Sequence, residues 1–597
     1  MSDSDAESPA WRITPSAYLA TRPAIFAIAP PISLYVTMRD GCRLALDVYL
    51  PVGSSKTVPA ILILTPYYRR FAGAASEPSP NAGKWRDLFV PRGYALVVVD
   101  VRGTGVSFGT RDAFRSPRER DDYREIADWV GAQPWSDGRI GATGISYVGA
   151  ACDFLASTGH PAVRAIAPIS AVWDTWVDHY YPGGLLLTKL AKSYDELMVA
   201  LDHDRRDLLG QFSYFRDPAY RGPQPVDDDP DMTERDAAVR QHLGNFHMPD
   251  FITEFRCRDD TLPYDPGFSS ASFSPYHYAE GIPEDVAILS ISGWMDGAGY
   301  ANGSIARFLT LPNRHRHLLL GPWDHGARIN VSPWRQTVLP QFSLAGTLLR
   351  FFDEYVLVHS TGLAAESPVH YFSLHAERWH EADAWPPVTS KRTFLPDPAM
   401  EAIATYQVDF SRGTGDNTRF ERLAAVDTRD YYADWAEHER GMLSIISAPL
   451  DAPGECTGHA VLTLRFASSE PDAALHVYLS ELEADGRLRH VTEGMLRALH
   501  RHESPPPDLY RAAWPWHPYT RADAAPLVPG EPVTVRIALL PVSWTFAAGS
   551  RLKLSIAGAD ADHFGQVPHG RPPVLTLWRS GTSLELPWRL AADAGLN

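Results

Sequence analysis

The chain has 597 residues, well beyond the roughly 250 to 300 at which a single hydrophobic core stops growing, so two or three domains are expected. Hydrophobic residues make up 45% and aromatics 11%, with 17 tryptophans, which excludes a disordered chain. The 72 acidic against 55 basic residues give a net charge of -17, which argues against nucleic acid or an anionic membrane surface as partner and leaves a charged small substrate open.

Residues 1–31 read as an arm laid on the surface, and their start, Met1 to Ser8, is acidic and polar rather than signal-like. No run approaches the roughly 18 apolar residues needed to cross a bilayer, so a cytoplasmic protein is expected. Cys42, Cys152, Cys257 and Cys456 are widely spaced without a C-x-x-C, which fits a reduced compartment and suggests neither a disulfide framework nor a metal site. Asp40-Gly41 between two alternating apolar runs within Ile32 to Leu50 predicts a hairpin. Ala60–Leu64 and Tyr94–Asp100 are continuous apolar runs, as strands buried on both faces of a parallel sheet must be. Ser116, Pro117 and Glu119 mark a helix start with a capping box, and Tyr123, Ile126, Ala127 and Val130 form its apolar face up to Gly131. Further strands are expected at Val163–Ile169, Val286–Ser292 and His317–Leu320, an alternation that makes a mostly parallel, doubly wound α/β sheet.

The stretch Ile140 to Ala150 is a short apolar strand broken by Gly144-Ile-Ser146-Tyr-Val-Gly149 and followed by helix formers. A serine at such a tight strand-to-helix turn is pushed out of the sheet, and the flanking glycines let the backbone pass. A bare G-x-S-x-x-G is more readily an ordinary turn, so the partners decide. Ligands in doubly wound sheets bind at the carboxyl ends of the strands. There Val286–Ser292 is followed by Asp296 and His317–Leu320 by His325, in the order Ser, Asp, His of α/β-hydrolases. His325 would take the proton of Ser146, and Asp296 would fix its tautomer and stabilise the imidazolium. Asp324 and Asp100 are read as structural, the latter anchoring the loop from Arg102 to Gly109.

Asp100-Val-Arg-Gly-Thr-Gly-Val-Ser-Phe-Gly109, Gln133-Pro-Trp-Ser-Asp-Gly138, Gly144-Ile-Ser-Tyr-Val-Gly149, Gly293-Trp-Met-Asp-Gly297 and Gly321-Pro-Trp-Asp-His325 together resemble the CocE/NonD-type serine hydrolases, the family of bacterial cocaine esterase, glutaryl-cephalosporin acylases and X-Pro dipeptidyl-peptidases. The resemblance covers the chain from about Ile32 and implies an α/β-hydrolase with a helical cap and a C-terminal jelly-roll (galactose-binding-like) domain. It carries the triad to Ser146, Asp296 and His325 and the oxyanion hole to the Tyr67 hydroxyl and the Tyr147 backbone N–H. The alternative for Tyr67 is an aromatic packed under the site. Tyr68-Arg-Arg70 departs from the small polar or acidic residues common in relatives, so local substrate contacts are expected to differ. Ala298, where cocaine esterase carries a bulky aromatic, implies a roomier pocket. Gly297-Ala-Gly299 lacks the carboxylates that hold an α-ammonium in amino-acid ester hydrolases.

The chain divides on this reading into the arm 1–31, a hydrolase domain 32–170 and 281–357, a helical cap 171–280 and a β-sandwich 358–597. Helices are expected at Leu185–Leu201 and Thr233–Leu243 in the cap, and short strands at His459–Phe466, Ala474–Leu482, Arg487–Thr492, Val533–Leu540 and Arg551–Ile556 in the sandwich. Trp173, Trp176, Tyr180 and Tyr181 either line a substrate pocket or form the cap's own core. The expected activity is cleavage of a small-molecule carboxylic ester or amide through an acyl-enzyme, with no cofactor and no metal. Homo-oligomerisation is left open. The alternatives are acyl transfer by the same triad, an X-Pro dipeptidyl-peptidase-like activity, or a non-catalytic carbohydrate-binding protein.

Overall fold

The computed structural model describes residues 10–54, 56–73, 80–209, 216, 218–335, 337–420 and 429–590. The acidic octapeptide at the start of the chain lies outside them. One ten-stranded sheet organises the N-terminal part. Its strands in chain order are β1 (Ile32–Thr37), β2 (Arg43–Tyr49), β3 (Val58–Thr65), β4 (Ala95–Asp100), β5 (Ser136–Ile145) and β6 (Val163–Ile169). After a small hairpin outside the sheet, β7 (Thr261–Leu262) and β8 (Asp265–Ser269), it continues with β9 (Ala287–Gly293), β10 (Arg316–Gly321), β11 (Val369–Ser373) and β12 (Arg378–Ala382).

The spatial order is β1-β2-β4-β3-β5-β6-β9-β10-β11-β12. Pairing is parallel from β4 through β11 and antiparallel at both edges. Every residue of β3, β4 and β9 is buried, because both faces of the sheet are covered, and this is why those strands read as unbroken apolar runs. β4 and β5 flank β3 on opposite sides, so the strand order reverses there. In open α/β sheets ligands bind at such a switch point, here beyond the carboxyl ends of β3 and β5.

The helices are α1 (Pro15–Thr21), α2 (Pro80–Phe89), α3 (Pro117–Gly131), α4 (Tyr147–Ser157), α5 (Thr188–Asp202), α6 (Arg206–Leu209), α7 (Thr233–Gln241), α8 (Met248–Thr253), α9 (Tyr300–Thr310), α10 (Leu344–Tyr355) and α11 (Arg429–Ala433). The N-terminal arm is tied down by an ion pair and a hydrogen bond rather than merely laid on the surface. Tyr18 of α1, Arg22 and Tyr94 all converge on Asp353 of α10, at 2.5, 2.7 and 2.8 Å. In α3 the Ser116 hydroxyl accepts the Glu119 N–H at 3.3 Å, as predicted, but the capping box is only half made. The carboxylate of Glu119 turns inward to the phenols of Tyr123 and Tyr147, which are buried and need an acceptor.

Between β6 and β9, residues 171–280 carry α5 to α8 with short 3-10 and π turns. The C-terminal part is all-β: β13 (Lys391–Phe394), β14 (Ile403–Gln407), β15 (Leu443–Ile446), β16 (Gly454–Gly458), β17 (Val461–Ser468), β18 (Ala474–Leu482), β19 (Leu488–Arg497), β20 (Val533–Ala538), β21 (Val542–Phe546), β22 (Arg551–Ala557) and β23 (Val574–Leu590). They form a sheet in the order β20-β17-β23-β16-β21, with β13 and β14 also on β23, and a second one in the order β15-β22-β18-β19. β11 and β12 lie beyond residue 357 yet complete the ten-stranded sheet, β11 pairing in parallel with β10.

Candidate active site

β5 ends at Ile145 and α4 begins at Tyr147, leaving Ser146 alone in the turn with φ 63° and ψ -119°. A non-glycine residue there is strained by ~1–3 kcal/mol and persists only where its surroundings fix it. The Ser146 N–H donates to the Ile169 carbonyl of β6 at 2.9 Å, which pins the turn to the next strand. Gly149 permits the close approach: a Cβ there would lie 2.9 Å from the carbonyl oxygens of both Gly144 and Ile169. Ser146 is half-buried, as is Ile145 before it, whereas Tyr147 after it is buried. As the first residue of α4, Tyr147 has an N–H with no intrahelical acceptor.

Asp296 and His325 follow the neighbouring parallel strands β9 and β10. Their loops are laced together by Trp294 N–H to the Gly321 carbonyl at 2.9 Å and Met295 N–H to the Trp323 carbonyl at 3.1 Å. His325 Nδ1 is 2.6 Å from Asp296 Oδ1, and Asp296 Oδ2 accepts the Ser292 hydroxyl at 2.7 Å. The carboxylate is 1% exposed, so it meets the imidazole with little screening by water. With Nδ1 facing the carboxylate, Nε2 is directed away from it. The loop beyond the histidine reaches the elbow, since Gly326 N–H donates to the Ser170 hydroxyl at 2.9 Å and its Cα borders the Ile145 side chain. Tyr300 of α9 lies against the imidazole, ring centroids 4.8 Å apart. Asp324 turns away and accepts the N–H groups of Arg328 and Ile329 at 3.0 and 2.8 Å, shaping the loop.

Tyr67 follows β3, the neighbour of β5 in the sheet. Its ring stands edge-on to Tyr147 with centroids 6.5 Å apart, and its hydroxyl is 3.3 Å from that of Tyr194 in α5. Burial pushes the Tyr67 phenol up to about 12, which keeps it a proton donor at neutral pH. Tyr68, Arg69 and Arg70, expected to alter substrate contacts, are structural. Arg69 is fully buried between Asp47 and Asp100 at 3.0 Å each, Arg70 reaches Asp47, and the Tyr68 hydroxyl donates to the Leu201 carbonyl. Asp100 anchors its loop as expected, accepting the Val106 N–H at 3.1 Å.

The four residues proposed for substrate binding go to different places. Trp173 and Trp176 are fully buried with their indole N–H groups on the carbonyls of Leu509 and Phe255, at 2.9 and 2.7 Å, and Trp176 stacks on Tyr181. Ala298 lines a crevice between α9 and the C-terminal domain, together with Trp514 and Trp516. Tyr180 alone joins the ring cluster beside the elbow, where Phe114 meets Tyr147, His179, Tyr180 and Tyr194 at centroid distances of 5.2 to 6.0 Å. Phe114, Tyr194 and Tyr300 were not singled out from the sequence, and Glu119 was read only as a helix-capping residue. Of the first three, only Tyr300, four residues after Asp296 at a helix start, carries a positional signal.

Among the described residues one group has metal-ligand spacing, Cys257 with Asp259 and Asp260. Arg521 already engages both carboxylates, donating its N–H to Asp259 at 2.8 Å and its guanidinium to Asp260 at 2.7 Å. No helix of the described residues is long and apolar enough to cross a membrane.

Residues 40–327 match the X-Pro dipeptidyl-peptidase (S15 family) and residues 361–582 the X-Pro dipeptidyl-peptidase C-terminal non-catalytic domain. A Mycobacterium bovis protein provisionally named a serine esterase is 38% identical over 93% of this chain and 95% of its own length. The cocaine esterase of Rhodococcus sp. is 25% identical over 88% of this chain and 90% of its own. Among solved structures, a CocE/NonD family hydrolase from Staphylococcus aureus superposes with a TM-score of 0.67 at 17% identity, covering 98% of this chain and 99% of that one. An alpha-amino acid ester hydrolase gives 0.68 at 19% identity, covering 95% and 97%. At these identities the two structures speak for the fold alone.

Proposed function

The chain belongs to the CocE/NonD-type family of serine hydrolases, and from that premise we propose that it cleaves a small-molecule carboxylic ester or amide through an acyl-enzyme on Ser146. The observation that carries this reading is the 2.6 Å bond between Asp296 and His325, on loops laced to each other and reaching the strained turn of Ser146. In the proposed cycle His325 Nε2 takes the serine proton as Oγ attacks the carbonyl carbon. Asp296 holds the imidazole and stabilises its charged form. The carbonyl oxygen, now negative, is received by the Tyr67 hydroxyl and the Tyr147 N–H, donors fixed before the charge appears. His325 returns the proton to the leaving group, and water, activated in the same way, releases the acid.

We read residues 171–280 as a cap over the site, a reading supported by the Tyr194–Tyr67 contact, and the two C-terminal sheets as a jelly-roll domain. The net charge of -17 supports a small-molecule substrate over a polyanion. A dipeptidyl-peptidase activity is favoured by the matched family description, but an α-ammonium needs a free carboxylate near Asp296. Ala298 and Gly299 supply none, and nearby Asp178 already accepts the Tyr510 hydroxyl and the N–H groups of Trp173 and Asp174. An ester and amide library, including X-Pro anilides and with alcohols added as competing acceptors, tests the proposal. Hydrolysis of uncharged aryl or alkyl esters supports it; preference for X-Pro anilides or diversion of the acyl group to alcohols replaces it.

A further inference from the structure

Glu119 lies in the first turn of α3 and is 1% exposed. Its Oε2 accepts two phenols, Tyr147 at 2.5 Å and Tyr123 at 2.8 Å, while Oε1 is buried with no partner among the described residues. Tyr147 is the residue whose backbone N–H opens α4 beside Ser146. Its ring is held at the hydroxyl by Glu119, along one edge by Phe114 at 5.2 Å and 89°, and by the Arg115 guanidinium 5.1 Å from its centroid. The same ring abuts Tyr67 at 6.5 Å. One carboxylate therefore anchors a side chain that touches both oxyanion donors.

We propose that Glu119 is a positioning residue: in its ionised form it holds the phenol of Tyr147, and through that ring it sets both the Tyr147 N–H and the Tyr67 hydroxyl toward the oxyanion. The inference rests on the reading of Ser146 as nucleophile given above.

Protonation is disfavoured by geometry. A proton on Oε1 would be a buried donor without an acceptor, and a proton on Oε2 would compete with a phenol that now donates there. Charged and titratable groups around the carboxylate are Tyr123 and Asp122 of its own helix, Arg111 and Arg115 of the preceding loop, and Tyr147 of α4. Burial pushes the Glu119 carboxyl up to about 7, against the phenols of Tyr147 and Tyr123 and the charge of Arg111, which act to lower it. The hole would thus be set as pH rises through neutrality and loosened as it falls.

The test is the pH profile of kcat/KM for an aryl ester in the wild type, Glu119→Gln, Tyr147→Phe and the double variant, with fluorophosphonate labelling of Ser146 alongside. Two protons should shape the acidic limb of the wild type, one on the general base that stops turnover and one on Glu119 that costs about 10-fold, so that its log–log slope rises above 1 near neutrality and returns to 1 at lower pH. Gln mimics the protonated acid. Glu119→Gln should therefore show a one-proton limb and a kcat about 10-fold lower at pH 8 with KM little changed. Tyr147→Phe should do the same, and the double variant should be no worse than either single one. Tyr147→Phe keeps the acid and serves if Glu119→Gln fails to fold. A two-proton limb surviving in these variants, losses that multiply, or a one-proton limb in a wild type that labels at Ser146 overturns the Glu119 role alone. A wild type that does not label at Ser146 overturns the underlying reading and this inference with it.

Discussion

Gly326 and Ile145 are in contact: a Cβ on the glycine would stand 3.1 Å from Ile145 Cγ2. One residue follows the imidazole and the other precedes the hydroxyl, yet 181 residue numbers separate them, as 326 - 145 shows. The sheet makes this contact, because β5, β6, β9 and β10 are consecutive neighbours and all point their carboxyl ends the same way.

Tyr67→Phe removes only a hydroxyl whose proton is retained at neutral pH. Loss of one oxyanion donor should lower kcat about 10²-fold or more while KM changes little. Steady-state kinetics on an aryl ester checks this, and unchanged kcat would return Tyr67 to a packing role.

Ser292→Ala removes the hydroxyl that donates to Asp296 Oδ2. The buried carboxylate would keep His325 but lose the partner that orients it, and kcat should fall about 10-fold with fluorophosphonate reactivity slowed in parallel. If labelling and turnover part company, the hydroxyl acts elsewhere.

The elbow was legible because its requirements are local: a serine between glycines, a strand before it and small residues after it. Asp296 and His325 were legible as strand ends, since the sheet's periodicity marks where each strand stops. Tyr67 was reachable only through family resemblance, because nothing in its spacing says where a phenol points. Trp173 and Trp176 could not be assigned, since buried aromatics look alike in sequence whether they face a ligand or a domain seam. Glu119 fits a capping box as a residue type, and only the buried phenols around it redirect the carboxylate. β23, 17 residues long, escaped notice because Arg579-Ser-Gly-Thr582 in its middle reads as a turn.

Gly149→Ala tests the packing that lets the elbow form. The added methyl would meet two carbonyl oxygens at 2.9 Å, and neither backbone can yield. Overpacking of ~1–3 kcal/mol should outweigh the ~1 kcal/mol that alanine gains in a helix. A lower Tm and reduced soluble yield are expected; a higher Tm would show that the turn has room.

Stability should also depend on Asp178, which joins the segment between β6 and β9 to the C-terminal domain through the Tyr510 hydroxyl at 2.6 Å. Burial pushes its carboxyl up to about 7 from an ordinary 3.8, and neighbouring Asp174 pushes the same way. The folded chain then holds a proton the unfolded chain has lost, so this contribution is present below about pH 4 and lost as pH rises toward 7. Asp178→Asn should flatten that part of the decline in Tm. Tyr510→Phe, which strips a donor from the buried acid, should destabilise by ~1–3 kcal/mol, more at pH 8 than at pH 5.

The central claim is that Ser146 is the nucleophile. Intact-mass analysis and peptide mapping after fluorophosphonate treatment test it most directly, in the wild type and in Ser146→Ala, with aryl-ester turnover measured on both. One adduct per chain on Ser146 is predicted, with none in Ser146→Ala and turnover lowered there by ~10⁴ or more. An adduct on another residue, or turnover that survives in Ser146→Ala, would contradict the account.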